Sequence, residues 1–277
     1  MSPPLDRRSV LLGALGGLGA GAAAGLGVAH FADPRAAKAT TGFVEFGEST
    51  SYAQQGEDLI LANIFTWLQI PHPSYIDIGA HEPIFGNNTY LFYRRGCRGV
   101  LVEPNPALTP KLRRTRPGDQ VLEIGIGAKG DDEEVDYYVI EGDGSNNTFS
   151  ADVAKSLQAA KGPKAVKEVI KRKLVNINKV LTESFPKGGP DLFSTDTEGY
   201  DLTILQSLDF DRFRPAAFCV ETLSGVDPEP HILALMNDKE YDVRGATFVN
   251  TIFVDRRRLR ELEKAMRAAD GVPGTAQ

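Results

Sequence analysis

Cysteine and histidine are scarce in this chain. Cys97 and Cys219 are its two cysteines in 277 residues. Neither stands in a CxxC or in a Cys/His cluster, which argues against a structural zinc site. Cys219 lies inside the apolar run 216–220 and reads as a small buried hydrophobe; the spacing gives no support for a disulfide. The four histidines, at 30, 72, 81 and 231, lack metal-ligand spacing, so no metal ligand is assigned. A basic stripe is also missing. The net charge is -6 and the pI about 5.4, and the Lys and Arg of 155–173 and 256–267 are interleaved with acids or alanines, as on solvated helix faces. A nucleic-acid partner is therefore not expected. No linker-like stretch interrupts the middle of the chain. With 42% hydrophobic and 25% charged residues, ordinary globular fractions, one large α/β domain is expected.

The first 40 residues read as an address. Arg7 and Arg8 precede Ser9 and Val10-Leu11-Leu12, and an uncharged Gly/Ala/Leu stretch runs to residue 29. Paired arginines before a weakly apolar segment resemble a twin-arginine export signal, and Ala36-Ala37-Lys38-Ala39 offers small residues for cleavage. The rival reading is a membrane anchor through residues 10–29, long enough for a bilayer of about 20 residues but rich in glycine. Either way residues 1–40 are set apart from a domain at 41–277.

From there the pattern alternates. Residues 53–68 have apolar positions at helical spacing, ended by Pro71-His72-Pro73. Strands are expected at 75–78, 99–102, 121–124, 191–195 and 216–220, with helices at 88–95 (capped by Asn87 or Asn88), 106–116, 202–208 and 228–238. Residues 131–140 alternate as antiparallel or edge strands, 141–150 form a polar Gly/Asn-rich loop able to cover a site, and 155–172 read as a charged helix. The pair 241–244 and 251–254 and a last helix at 256–268 close the chain. This order implies a doubly wound, mostly parallel sheet with an antiparallel C-terminal strand pair. Ligands bind such a sheet at the carboxyl ends of its strands, where Asp77, Glu103, Asp196 and Glu221 should all lie.

Three strand ends carry chemistry. Tyr75-Ile76-Asp77-Ile78-Gly79-Ala80-His81 has one glycine and a preceding acid. The second and third glycines of GxGxxG are missing, which disfavours a dinucleotide pyrophosphate and suits a cofactor with a cationic amino-acid end. A bare strand–helix turn would look the same. Val102-Glu103-Pro104-Asn105 follows about 25 residues later, where an acid accepts hydrogen bonds from ribose hydroxyls or merely flanks a helix N-terminus. Asp196-Thr197-Glu198-Gly199 puts two carboxylates on the same edge. They either serve a substrate hydroxyl, Glu198 as general base, or cap the next helix.

Together, Gln55-x-Glu57-Asp58, residues 75–83 with Asn87-Asn88-Thr89, residues 96–106, Asp196-x-Glu198-Gly199, Arg214-Pro215 through Val220-Glu221 and Asn250-Thr251-Ile252-Phe253-Val254 resemble the FkbM family of methyltransferases in residues and order, over about 51–254. The resemblance implies a class I, Rossmann-like methyltransferase fold, S-adenosyl-L-methionine as cofactor, and O-methylation of a sugar, glycan or natural-product hydroxyl. It implies Asp77, Gly79 and Ala80 at the methionine end of the cofactor and Glu103 at the ribose. Asn88, Pro104 and Asn105 complete the cofactor set. Glu198, and after it Asp196 or His81, is the candidate base. Cys97 stands where a Trp is common, and Ser194-Thr195 where many members have Lys-Ile, which removes any lysine-assisted role. The alternatives are an exported glycan-binding domain without catalysis and a nucleotide-dependent oxidoreductase. An export signal sits awkwardly with a cofactor made and used in the cytoplasm.

Overall fold

Residues 50–127, 133–142, 144–224 and 227–269 are described by the computed structural model. They belong to one compact unit, Glu48–Gln277. The arginine pair, the segment 10–29 and the boundary after residue 40 lie outside them. Among the described residues no helix is long and apolar enough to cross a membrane.

In chain order the first half holds α1 (Glu57–Trp67), β1 (Tyr75–Ile78), α2 (Tyr90–Arg94), β2 (Gly99–Val102), α3 (Thr109–Thr115), β3 (Gln120–Leu122), β4 (Gly125–Gly127) and β5 (Glu133–Ile140). Then come α4 (Ala151–Lys161), β6 (Val166–Asn176), α5 (Ile177–Ser184), β7 (Leu192–Thr195), α6 (Asp201–Ser207) and β8 (Ala217–Glu221). The short pair β9 (Leu223–Ser224) and β10 (Asp227–Pro228), α7 (Pro230–Asp238), β11 (Tyr241–Ala246), β12 (Asn250–Asp255) and α8 (Arg256–Ala269) complete it.

Seven strands form the main sheet, in the order β11-β12-β8-β7-β1-β2-β3. β3, β2, β1, β7 and β8 are parallel neighbours; β12 runs antiparallel between β8 and β11. This is the expected α/β, doubly wound sheet with its antiparallel pair. Parallel strands are covered on both faces and so read as continuous apolar runs, and β1 and β7 are buried along their whole length. One face packs Ile76, Val100, Phe193 and Phe218 under α5, α6 and α7. The other packs Tyr75, Leu101, Leu192 and Cys219 under α1, α2 and α3. Both cysteines are buried and free. The chain leaves β1 for β2 and later returns to β7 on the other side, so the strand order reverses between β1 and β7.

Sequence motifs far apart meet in this frame. The buried carboxylate of Glu57 accepts from the Asn250 side chain at 2.9 Å, the Thr247 hydroxyl at 2.7 Å and the Gln55 backbone N–H at 2.8 Å. It ties the start of α1 to the β11–β12 turn.

Two expectations need correction. The charged helix at 155–172 stops at Lys161, where Gly162 at φ 92 leads into Pro163. Val166–Asn176 is the strand β6, paired antiparallel with β5 and parallel with β4 in a separate three-stranded sheet. Its lysines face water while Leu174 and Val175 are buried, and Lys171 meets Asp136 across the ladder at 2.7 Å. Cross-strand pairing stabilises a run whose local composition also suits a helix. The cap of α2 is Thr89, not Asn87 or Asn88; both asparagines turn inward instead.

Candidate active site

The pocket opens at the carboxyl ends of β1, β2 and β7, and Asp77, Gly79, Glu103, Asp196 and Glu198 are among its walls. Gly79 has φ +80, and a Cβ there would lie 1.9 Å from the Asp196 carbonyl oxygen. Only glycine lets the β1 turn and the end of β7 touch through their backbones. The Asp196 N–H donates to the Ile78 carbonyl at 3.0 Å, sealing that contact.

Glu103 is almost fully buried, yet both its oxygens are held. Oε2 accepts from the His81 N–H at 2.9 Å and Oε1 from the Asn105 N–H at 2.8 Å. Burial pushes the carboxyl up; the two N–H groups and the nearby His81 work against it. Each oxygen keeps lone-pair capacity, which fits a ribose diol. Asp77 is buried as well. Its Oδ2 accepts from the Thr89 hydroxyl at 2.8 Å and from Asn87 Nδ2 at 3.0 Å. Burial raises it and the Arg116 charge opposes that rise.

Asn88 donates to the Ser194 hydroxyl at 3.3 Å. Its Oδ1 is buried without a hydrogen-bond partner among the described residues, an acceptor on the pocket wall that suits an ammonium group. Ala80 lends its carbonyl to Asn87, and Pro104 lines the pocket. Asn105 is drawn away: its side chain accepts from the Ala107 N–H at 3.0 Å. It bears on the site through the backbone N–H that holds Glu103.

On the opposite wall, carboxylate oxygens of Asp196, Glu198 and Glu221 lie within 4.8 Å of one another. The histidines and cysteines gave no such grouping in the sequence. Such a spacing serves a shared proton or a divalent cation. Withdrawal from water raises Asp196, and the charges of Asp201 and Glu198 raise it further; Glu221 is raised by burial and then by Asp196. Their carboxylate oxygens lie within 4.8 Å of each other, an arrangement that suits a pair holding one proton between them. The helix-capping alternative does not hold: the N-cap of α6 is Tyr200, and no side chain caps it. Asp201 accepts from the Thr195 hydroxyl at 2.7 Å and the Thr197 N–H at 3.3 Å, bracing the segment between β7 and α6, while Asp196 and Glu198 line the pocket. Glu198 has φ 53 and His81 φ 45. Left-handed backbone at bulky residues is uncommon and clusters where function demands it.

Four residues of the polar 141–150 stretch, Gly144, Ser145, Asn147 and Phe149, line the pocket. Thr148 donates its hydroxyl to the Glu198 carbonyl at 3.2 Å. Asn147 accepts from the Ile140 N–H at 2.8 Å, which orients its amide. Its Nδ2 is buried on the pocket wall and has no hydrogen-bond partner among the described residues. Phe149 stands 4.7 Å from the Tyr137 ring and 6.5 Å from Tyr200. Asn147, Phe149, Tyr137 and Tyr200 went unnamed in the sequence reading. The Asn146-Asn147-Thr148 run was their one signal. Glu221 was placed on this edge but not assigned to the site.

The profile of the FkbM methyltransferase domain matches residues 77–243. The chain belongs to the FkbM methyltransferase family. As an FkbM protein it is an S-adenosylmethionine-dependent methyltransferase of class I, Rossmann-like fold, which sets aside the non-catalytic binding domain and the oxidoreductase. No curated protein matches this FkbM chain. Among solved structures, the TehB-like SAM-dependent methyltransferase of Corynebacterium glutamicum ATCC 13032 Kitasato is 10% identical, over 73% of this chain and 88% of its own, with a TM-score of 0.37. The 1,6-didemethyltoxoflavin-N1-methyltransferase of Burkholderia thailandensis, with 1,6-didemethyltoxoflavin and S-adenosylhomocysteine bound, is 9% identical over 73% and 77%, TM-score 0.36. The precorrin-6y C5,15-methyltransferase of Geobacter metallireducens GS-15 is 13% identical over 76% and 93%, TM-score 0.37.

Proposed function

We propose that the protein methylates a hydroxyl of a sugar, glycan or natural product, with Glu198 as the base. The observation that carries this is the meeting of Asp196, Glu198 and Glu221 beside the Gly79 turn. An alcohol that becomes an ether must release a proton, and a nearby carboxylate is the ordinary receiver. A polyhydroxyl acceptor also matches the rest of the pocket lining, where Asn147 offers an amide donor and Phe149 and Tyr200 offer aromatic side chains.

S-adenosylmethionine, when bound, supplies a sulfonium-activated methyl group for in-line displacement. Glu103 would accept from its ribose hydroxyls, and Asp77 and the Asn88 Oδ1 would face its cationic end. Glu198 holds the acceptor hydroxyl and takes its proton. Asp196 and Glu221, sharing one proton, keep a second negative charge from crowding that base. Orientation of two reactants accounts for much of such catalysis.

Glu198→Gln tests the assignment. Turnover, read as S-adenosylhomocysteine release over a panel of sugars, should fall by about 100-fold or more, while S-adenosylhomocysteine binds as before. Turnover equal to wild type would sink the base. A cation-assisted reading of the same acids predicts a different sign: dialysis against a chelator would then abolish activity, and the base reading expects it unchanged.

A further inference from the structure

Arg116 ends α3 inside the charged run Lys111-Leu112-Arg113-Arg114-Thr115-Arg116, yet it is completely buried and is the largest such side chain among the described residues. It does not border the pocket. Its Nε donates to Asp119 at 2.8 Å, an ion pair that neutralises both charges. The rest of the fork is spent elsewhere. Nη1 donates to the Asn87 Oδ1 at 2.9 Å, and Nη2 to the Tyr75 hydroxyl at 2.9 Å and the Thr89 hydroxyl at 3.0 Å.

Those choices dictate what Asn87 and Thr89 do next. With Oδ1 of Asn87 taken by Arg116 and by the Thr89 N–H, the amide cannot flip, and its Nδ2 is aimed at Asp77 and the Ala80 carbonyl. The Thr89 oxygen accepts from Arg116, and its single hydrogen has the Asp77 carboxylate at 2.8 Å and the Asn87 Oδ1 at 3.0 Å within reach; the charged and nearer acceptor is favoured, because Asn87 Oδ1 already accepts from Arg116 and the Thr89 N–H. Each bond of the guanidinium toward the β1 turn is thus passed on by one neutral side chain. A planar fork with several fixed donors is suited to this; an ammonium is not.

We propose that Arg116 is a positioning residue for the cofactor, fixing Asp77 and the Ala80 carbonyl through Asn87 and Thr89. This rests on the reading that Asp77 and Ala80 belong to the cofactor site. Arg116 is also the cation that faces Asp77, against the acids Glu103 and Asp196 and the thiol of Cys219.

The test is a double-mutant cycle on the full chain, read by calorimetric titration with S-adenosylhomocysteine, with melting curves to verify folding. Asp77→Asn alone should weaken binding by about 30-fold. Arg116→Met together with Asp119→Asn removes both members of the Arg116–Asp119 ion pair at once and should weaken it by about 10-fold. In the Asp77→Asn background the same double change should cost less than about threefold, because the residue acts through Asp77. Should the double variant not fold, Arg116→Lys, with its charge kept and its fork lost, carries the same cycle with a smaller loss, and equal affinity to wild type would overturn the proposal. A loss that persists undiminished in the Asp77→Asn background marks a general structural role and overturns it too. Wild-type binding by Asp77→Asn overturns the cofactor reading of the turn, and the proposal with it.

Discussion

Asp77 and Glu103 close the sheet edge on one side of the strand reversal; Asp196 and Glu221 close it on the other. All four are carboxylic acids at strand ends, but their surroundings differ in kind. Glu103 has a backbone N–H on each oxygen, and Asp77 has two side-chain donors with a buried guanidinium behind them. Asp196 and Glu221 have chiefly other acids: each other, Glu198 and Asp201. Donors around the first pair preorganise charge to be bound. Like charges around the second pair favour taking up and giving away protons. In the proposed roles, the same residue types divide into a holding half and a reacting half by what stands next to them.

Exchanging charge for shape on each side should break this contrast. Of these two exchanges the larger loss of affinity is expected at Glu103→Gln, which keeps the volume and loses a charged acceptor: affinity for S-adenosylhomocysteine should fall by about 20-fold. Glu221→Gln should leave that affinity within about twofold and instead remove the higher of the pair's two titrations from the pH dependence of turnover, because one partner of the raised pair is gone. Equal losses of affinity for the two variants would erase the distinction.

Stability should separate the halves as well. Folded Asp196 and Glu221 hold protons more tightly than the unfolded chain, so their contribution is complete below the unfolded carboxylate range, near pH 4, and is lost as pH rises through the folded values. Tm should therefore drop between pH 6 and pH 9, and Glu221→Gln should flatten that slope; a parallel curve would mean the pair is not the source. The smallest effect is expected far from either half. Lys171→Ala removes a solvent-exposed cross-strand ion pair with Asp136 and should leave Tm unchanged within error.

Much of this was legible before any coordinates. The strands β1, β2, β7 and β8 are short apolar runs, and the acids that end them follow from the rule that such sheets bind ligands at one edge. What was illegible depends on distance along the chain. The run 166–176 has helix-compatible lysines and glutamates, and only pairing with 133–140 makes it a strand. Arg116 sits among four other cationic side chains of residues 111–116 and 98, and nothing local separates the one that is buried; its partners come from 75, 87, 89 and 119. Asn147 reads as loop polarity until Ile140 fixes its amide.

The backbone contact at Gly79 has a consequence for how this enzyme can diversify. The cofactor turn and the acid-bearing end of β7 are already at van der Waals limits, with no side chain between them to shrink or enlarge. On the proposed assignment, the reach between methyl donor and base is therefore set by a backbone contact and not by side-chain size. New acceptors must be accommodated by the roof, where the 141–150 loop hangs from the Glu198 carbonyl by the Thr148 hydroxyl. Specificity is free to drift there while the spacing of the reaction itself stays locked.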